Sequence, residues 1–213
     1  MPNLKVAVVP VTPFEQNCSI VACAETNRAA IVDPGGDVAR IRAAIDQLGV
    51  TPEKILLTHG HIDHAGGAAE LAEALSIPIE GPHEADAFLL SGLAAQGRKF
   101  GIADARDLTP SRWFNEGDAV SVGKLRFDVL HVPGHTPGHI VFVNAAERFA
   151  LVGDTLFAGS VGRTDFPYGS HDQLIAGIKD KLLPLGDDVT ILPGHGPGST
   201  IGAERTGNGF LQN

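Results

Sequence analysis

The sequence predicts an α/β fold in a single domain, 1–213. Two patterns lead to this. Short runs rich in valine and isoleucine recur along the chain, several stopping at a glycine, proline or aspartate turn, and amphipathic or alanine-rich stretches of helical period fall between several of them. A chain of 213 residues with 43% hydrophobic content can also bury a substantial core within one domain.

In chain order, segments 6–9, 18–23 and 29–32 read as strands, and Asp33-Pro34-Gly35-Gly36 closes the third with a turn. Asp37 stands where a helix N-cap is expected. Val38, Ile41, Ile45 and Leu48 then share one helical face, and Gly49 follows where a left-handed C-terminal residue is needed. Segment 54–57 is the next buried strand, and Gly66-Gly67 opens an alanine-rich helix over 68–75. Segment 92–113 lacks clean periodicity and is expected to be a loop overhanging the site, with Arg98 and Lys99 on a solvated charged face. Beyond it, 119–122 and 124–130 form a hairpin around Gly123, and 140–143 and 148–152 add strands. Ser170 caps a helix carrying Leu174, Ile175, Ile178 and Leu182.

Charge and cysteine content narrow the function classes. With 16 Lys and Arg against 25 Asp and Glu, the net charge of -9 argues against a nucleic-acid-binding surface. No apolar stretch reaches the length of a membrane span, and the N-terminus lacks a basic region followed by a long apolar run, so a cytoplasmic protein with no membrane partner is expected. Cys18 and Cys23, five apart on one strand, point to opposite faces; a mutual disulfide is not expected, in keeping with a reducing compartment.

The chemistry concentrates in Thr58-His59-Gly60-His61-Ile62-Asp63-His64, just after the apolar run Ile55-Leu56-Leu57. Without a metal, four such side chains at one strand end would repel or lose solvation with little packing gain. Imidazole and carboxylate donors without cysteine suit zinc, iron or manganese in an open site rather than a closed structural zinc site. His135, Asp154 and His195 follow downstream, each in a glycine-bearing turn after a predicted strand ending at Val132, Val152 or Leu192. Pro133-Gly134-His135 and Pro193-Gly194-His195 repeat one turn, in which glycine permits a sharp bend and proline limits loop freedom.

The order His59-x-His61-x-Asp63-His64, then His135, Asp154 and His195, resembles the metallo-β-lactamase superfamily over nearly the whole chain. The resemblance implies an αββα sandwich with a dinuclear site on one edge. By that resemblance His59, His61 and His135 hold one metal, Asp63, His64 and His195 the other, and Asp154 bridges them. Segments 133–139, 153–157 and Gly162-Arg163-Thr164-Asp165-Phe166 resemble the glyoxalase II group, the hydroxyacylglutathione hydrolases, in their short bacterial type. Longer glyoxalase II enzymes carry a C-terminal helical domain that supplies much of the glutathione site, and this chain ends at Asn213 without it.

The expected cofactors are two divalent ions, zinc first, with iron or manganese also suited. Two such cations against two carboxylates leave a positive excess that lowers the pKa of a bridging water, making hydroxide the expected nucleophile on a thioester carbonyl. The leaving thiolate, with a pKa of roughly 8.5 to 9, needs little general-acid help. Asp154 is assigned mainly to metal binding and Asp63 to proton handling as well. Arg163 is the expected contact for an anionic substrate group, with an Arg163–Asp165 pair as the structural rival; Tyr168 is expected to line the substrate site, while Phe157 and Phe166 are read first as packing residues and second as part of the same apolar wall. The expected partner is a small glutathione thioester, S-D-lactoylglutathione in particular, bound by a monomer or weak homo-oligomer. A one-iron sulfur-oxidising enzyme similar to persulfide dioxygenases, using His59, His135 and Asp154, is the alternative, and a non-catalytic metal- or partner-binding domain a lesser one. His131 and His139 are candidates for orienting a ligand; His83 and His171 read as surface or capping residues.

Overall fold

Alternation in the valine- and isoleucine-rich runs builds two sheets whose inner faces meet. The computed structural model describes residues 3–212; Met1, Pro2 and Asn213, the ends of the predicted domain, lie outside the described residues. The first sheet has the order β1-β2-β3-β4-β5, from β1 (Leu4–Val11), β2 (Gln16–Cys23), β3 (Arg28–Val32), β4 (Thr51–Leu56) and β5 (Ile79–Glu80). The second half supplies β6 (Ala119–Val122), β7 (Leu125–His131), β8 (Ile140–Asn144), β9 (Phe149–Gly153), a small hairpin of β10 (Leu156–Phe157) and β11 (Ser160–Val161), then β12 (Thr190–Pro193) and β13 (Ser199–Thr200). Its main sheet runs β13-β12-β9-β8-β7-β6.

Three apolar layers show how the sheets stack. Val21, Ala30 and Leu56 of the first sheet meet Phe127, Phe142 and Leu151 of the second in a core between them. Outside the first sheet, Ile20, Ile31 and Ile55 pack on α1 (Val38–Leu48) and α3 (Ala68–Leu75) through Ile41, Ile45 and Leu71. Outside the second, Val141, Val152 and Ile191 pack on α6 (His171–Gly177), the π-helical turn Ile178–Leu182 and α7 (Ile201–Gly207). This is the αββα sandwich. Cys18 faces the outer layer and Cys23 the inner one, as their odd spacing requires, and both are free.

The predicted elements form within a few residues of their expected bounds, with three corrections. Asp37 precedes α1 but does not cap it; its carboxylate accepts the Thr12 N–H at 2.7 Å instead. Leu48 is 47% exposed and does not join the buried face of Val38, Ile41 and Ile45. Segment 92–113 is not a plain loop: α5 (Leu93–Phe100) follows α4 (Ala87–Leu90) and brings Gln96 and Phe100 to the site, while Arg98 and Lys99 are not among the cavity-lining residues. The ligand loop itself contains the short helix α2 (Ile62–Ala65).

Candidate metal centre

The loops after β4, β7, β9 and β12 all open at one edge of the sandwich, where side chains can leave the sheets and converge. His59 and His61 leave β4, and Asp63 and His64 sit on α2. His135 follows β7, Asp154 follows β9 at once, and His195 follows β12. Gly194 lets the last two strand ends approach, since a Cβ there would overlap Asp154 Oδ1 and stand 2.5 Å from His64 Cε1. At Gly134, φ of 134° and the contact of α6 exclude a side chain before His135.

All seven predicted ligands meet. His61 Nδ1 lies 3.1 Å from His59 Nε2 and 2.9 Å from His135 Nε2, forming one group. Asp63 Oδ2 lies 3.2 Å from His195 Nε2 and 3.8 Å from His64 Nε2, forming a second. Within each group the donor atoms lie no more than 4.8 Å apart, close enough to hold one metal ion. Asp154 stands between them: Oδ1 is 3.4 Å from His64 Nε2, and Oδ2 is 3.5 Å from His135 Nε2 and 3.6 Å from His195 Nε2.

Hydrogen bonds on the far side of each ring decide which nitrogen faces inward. His64 Nδ1 donates to Asp33 Oδ2 at 3.0 Å. Thr58 Oγ1 gives its proton to Asp33 Oδ2 at 2.6 Å and so accepts from His59 Nδ1 at 3.1 Å. His135 Nδ1 donates to the Arg163 carbonyl at 2.7 Å, and His195 Nδ1 to the Phe14 carbonyl at 3.2 Å. His61 is reversed, with Nε2 on the Tyr168 hydroxyl at 2.9 Å and Nδ1 turned inward. Protons on the outer nitrogens leave inward lone pairs pointing at one another, which a cation relieves. His64 Nε2 and Asp154 Oδ1 are buried without a hydrogen-bond partner. The donor set therefore fits divalent metal.

Electrostatics agree with that assignment. Burial, then the neighbouring His135, pushes His61 down to about 3, and burial with His64 nearby holds His59 well below its ordinary value, so both stay neutral as ligands must. Burial opposes charge on His64, yet Asp154 and Asp63 raise it well above the usual imidazole range. Burial likewise works against an ionised Asp154, but His64 and His135 hold its carboxyl well below the usual range. The two carboxylates thus favour positive charge at this position, as a cation-binding group requires.

A cavity of about 480 Å³ opens over these ligands, with Phe14, Phe100, Phe157, Phe166 and Tyr168 in its walls. Arg163 lines it and also pairs with Asp165, Nε to Oδ1 at 3.0 Å, the structural arrangement anticipated for that loop. Phe166 stacks on Tyr168 at 5.4 Å. His139, fully buried, accepts the Asp154 N–H on Nε2 at 2.9 Å and so orients that ligand. His131 does not; it stacks on His83 at 4.3 Å and donates to the Pro137 carbonyl. His83 caps a short turn through Nδ1, and His171 begins α6.

Sequence reasoning missed Asp33, Asn17 and Asp86. Asp33 opened a predicted turn, which explained it adequately. Asn17 pins the His195 loop through the Pro193 and Gly196 carbonyls, at 3.0 and 2.8 Å. Their partners lie far along the chain, and no local pattern announces them.

An αββα sandwich with a His and Asp cluster at its strand ends defines a class of metal-dependent enzymes. The chain belongs to the metallo-beta-lactamase superfamily, whose family model matches residues 11–195. It is 45% identical over 209 residues to the hydroxyacylglutathione hydrolase GloC of Haemophilus influenzae, covering 98% of each chain. Two solved structures are also similar. TTHA1623, crystallised in a di-iron-bound form, has a TM-score of 0.87 and 38% identity over 96% of this chain and 100% of its own. The BLEG-1 B3 metallo-beta-lactamase has a TM-score of 0.88 and 32% identity over 98% of this chain and 100% of its own. Among the described residues, no helix is long and apolar enough to cross a membrane.

Proposed function

We propose that this enzyme hydrolyses an S-2-hydroxyacylglutathione, S-D-lactoylglutathione foremost, to glutathione and a 2-hydroxy acid on a two-metal site. The observation that carries the reading is the position of Asp154, whose two oxygens reach toward both ligand groups while every ring around it turns a lone pair inward. Whole-chain similarity to a hydroxyacylglutathione hydrolase supports the substrate class.

His59, His61 and His135 would hold one ion and Asp63, His64 and His195 the other, with Asp154 shared. When bound, two divalent ions, zinc by preference and iron or manganese as substitutes, supply Lewis acidity that lowers the pKa of water and polarises a carbonyl.

The chain's own groups do the rest. Asp63 stands near ligands of the second group only, which leaves it freer than Asp154 to take a proton. Arg163 offers the cation lining the cavity to a glutathione carboxylate, and Tyr168 holds His61 while its ring backs the substrate. The aromatic walls exclude water from the thioester. A departing thiolate needs no proton from the protein. We place the enzyme in the cytosol, acting as a monomer or weak homo-oligomer, a setting supported by its two free buried cysteines.

The competing one-iron oxygenase reading uses His59, His135 and Asp154 and leaves Asp63, His64 and His195 without a role, although they converge equally well. The test is hydrolysis of S-D-lactoylglutathione by the purified protein, with metal content on the same sample and oxygen uptake from glutathione persulfide alongside. Hydrolysis with two ions per chain is expected; oxygen uptake with one iron and no hydrolysis would overturn the reading.

A further inference from the structure

Asp86 is a fully buried carboxylate outside the ligand set. It ends the short helical turn Glu84–Asp86 and points at the backs of two ligand loops. Its Oδ2 accepts the Gly60 N–H at 2.9 Å and the Thr136 hydroxyl at 2.7 Å, and its Oδ1 accepts the Gly138 N–H at 2.6 Å. Gly60 lies between His59 and His61, and Thr136 follows His135. One side chain therefore ties together the two stretches of chain that supply the three-histidine group. None of its hydrogen bonds reaches Asp63, His64 or His195.

The glycines flanking these ligands fit the same arrangement. A Cβ at Gly138 would stand 2.7 Å from Asp86 Cγ, and one at Gly60 would stand 2.8 Å from Leu89 Cβ and 3.4 Å from Asp86 Cβ. Each loop gives up a side chain where Asp86 and the helix after it press against the backbone. Only a carboxylate presents acceptors on both oxygens; an amide would turn an N–H toward one of these donors. Burial pushes the carboxyl up to about 6 against the pull of its three donors, and no cationic side chain is among the groups that set it. A buried acid without a cation is costly to keep as a mere structural filler.

We propose that Asp86 is a positioning residue that sets the spacing of the His59–His61 loop against the His135 loop, and thereby the affinity of the three-histidine metal group. The inference rests on the two-metal reading for the naming of that group. It acts through backbone and hydroxyl hydrogen bonds, none of them to a ligand ring, and it is not among the residues lining the cavity.

The experiment compares metal-loaded wild type with Asp86→Asn and Thr136→Val. Metal retention is measured against a chelator series, the visible spectrum is recorded after cobalt loading, and kcat and KM are measured on S-D-lactoylglutathione. Asp86→Asn is expected to lose one ion of two about 10- to 100-fold more readily, to change the cobalt spectrum and to lower kcat with KM held. Thr136→Val, which removes one donor at nearly constant volume, should do the same more weakly and covers the case in which Asp86→Asn fails to fold. Retention within twofold of wild type and an unchanged cobalt spectrum would overturn the proposal, including when the melting temperature alone falls. If wild type holds a single ion, the two-metal reading fails, and the proposal stands only if the variant weakens that ion. Wild type that retains no divalent ion overturns both.

Discussion

His64 and Asp33 form a buried pair, with the imidazole Nδ1 donating to the carboxylate at 3.0 Å, and this turns His64 Nε2 toward Asp154. The same carboxylate accepts the Thr58 N–H at 2.8 Å and its hydroxyl at 2.6 Å, so it is fixed by the residue that precedes His59. One aspartate at the end of β3 thereby governs rings in both ligand groups.

Asp33→Asn should lower metal affinity about 10- to 100-fold, with the second group losing its ion first, because the His64 tautomer is no longer selected. Metal content after dialysis against graded chelator checks this. A variant that retains both ions like wild type would show that the pair is structural only.

Asp154→Asn replaces the one carboxylate that reaches both groups by a side chain with a single acceptor oxygen. The expected loss of turnover exceeds the roughly 100-fold typical of removing an outer hydrogen-bond partner. Steady-state kinetics with metal content on the same sample decides it, and full turnover with two ions retained would sink the bridging assignment.

Arg163 is exposed and shared with Asp165, so its contribution to substrate binding is modest. Arg163→Ala should raise KM for S-D-lactoylglutathione roughly 2- to 5-fold with kcat unchanged, in line with an exposed ion pair of about 0.2–1 kcal/mol. Asp165→Ala should lower KM by freeing the guanidinium. If neither variant moves KM, Arg163 serves only its loop.

Removing metal should destabilise the fold, because inward lone pairs and buried carboxylates lose the cation that compensates them. For free ion at a thousandfold over its dissociation constant, the loss is about 4 kcal/mol per ion, or roughly 8–16 °C in melting temperature for a chain of this size. Calorimetry with and without chelator tests this, and coincident melting curves would argue against tight metal binding.

The convergence of the candidate ligands and most of the elements were legible because both signals are local. His59, His61, Asp63 and His64 share one short loop, His135 and His195 repeat one turn, and strand periodicity needs only a few residues. The helix α5 was not legible: Leu93 and Gly97 are its buried residues, too few over 92–113 to give a clear period. Phe100, at the end of that helix, lines the cavity beside Phe14, ring centroids 5.9 Å apart.

By itself, then, the sequence determined the layered α/β class and the chemistry of the ligands, since donor type and period are properties of neighbouring residues. Tertiary structure alone decided how those ligands are aimed. Asp33 meets Thr58 and His64 across 25 and 31 positions, and Asp86 meets Thr136 and Gly138 across 50 and 52. Such contacts arise when strand ends and their loops converge at one edge of the sandwich, and a buried carboxylate takes its donors from whatever backbone the packing brings within reach.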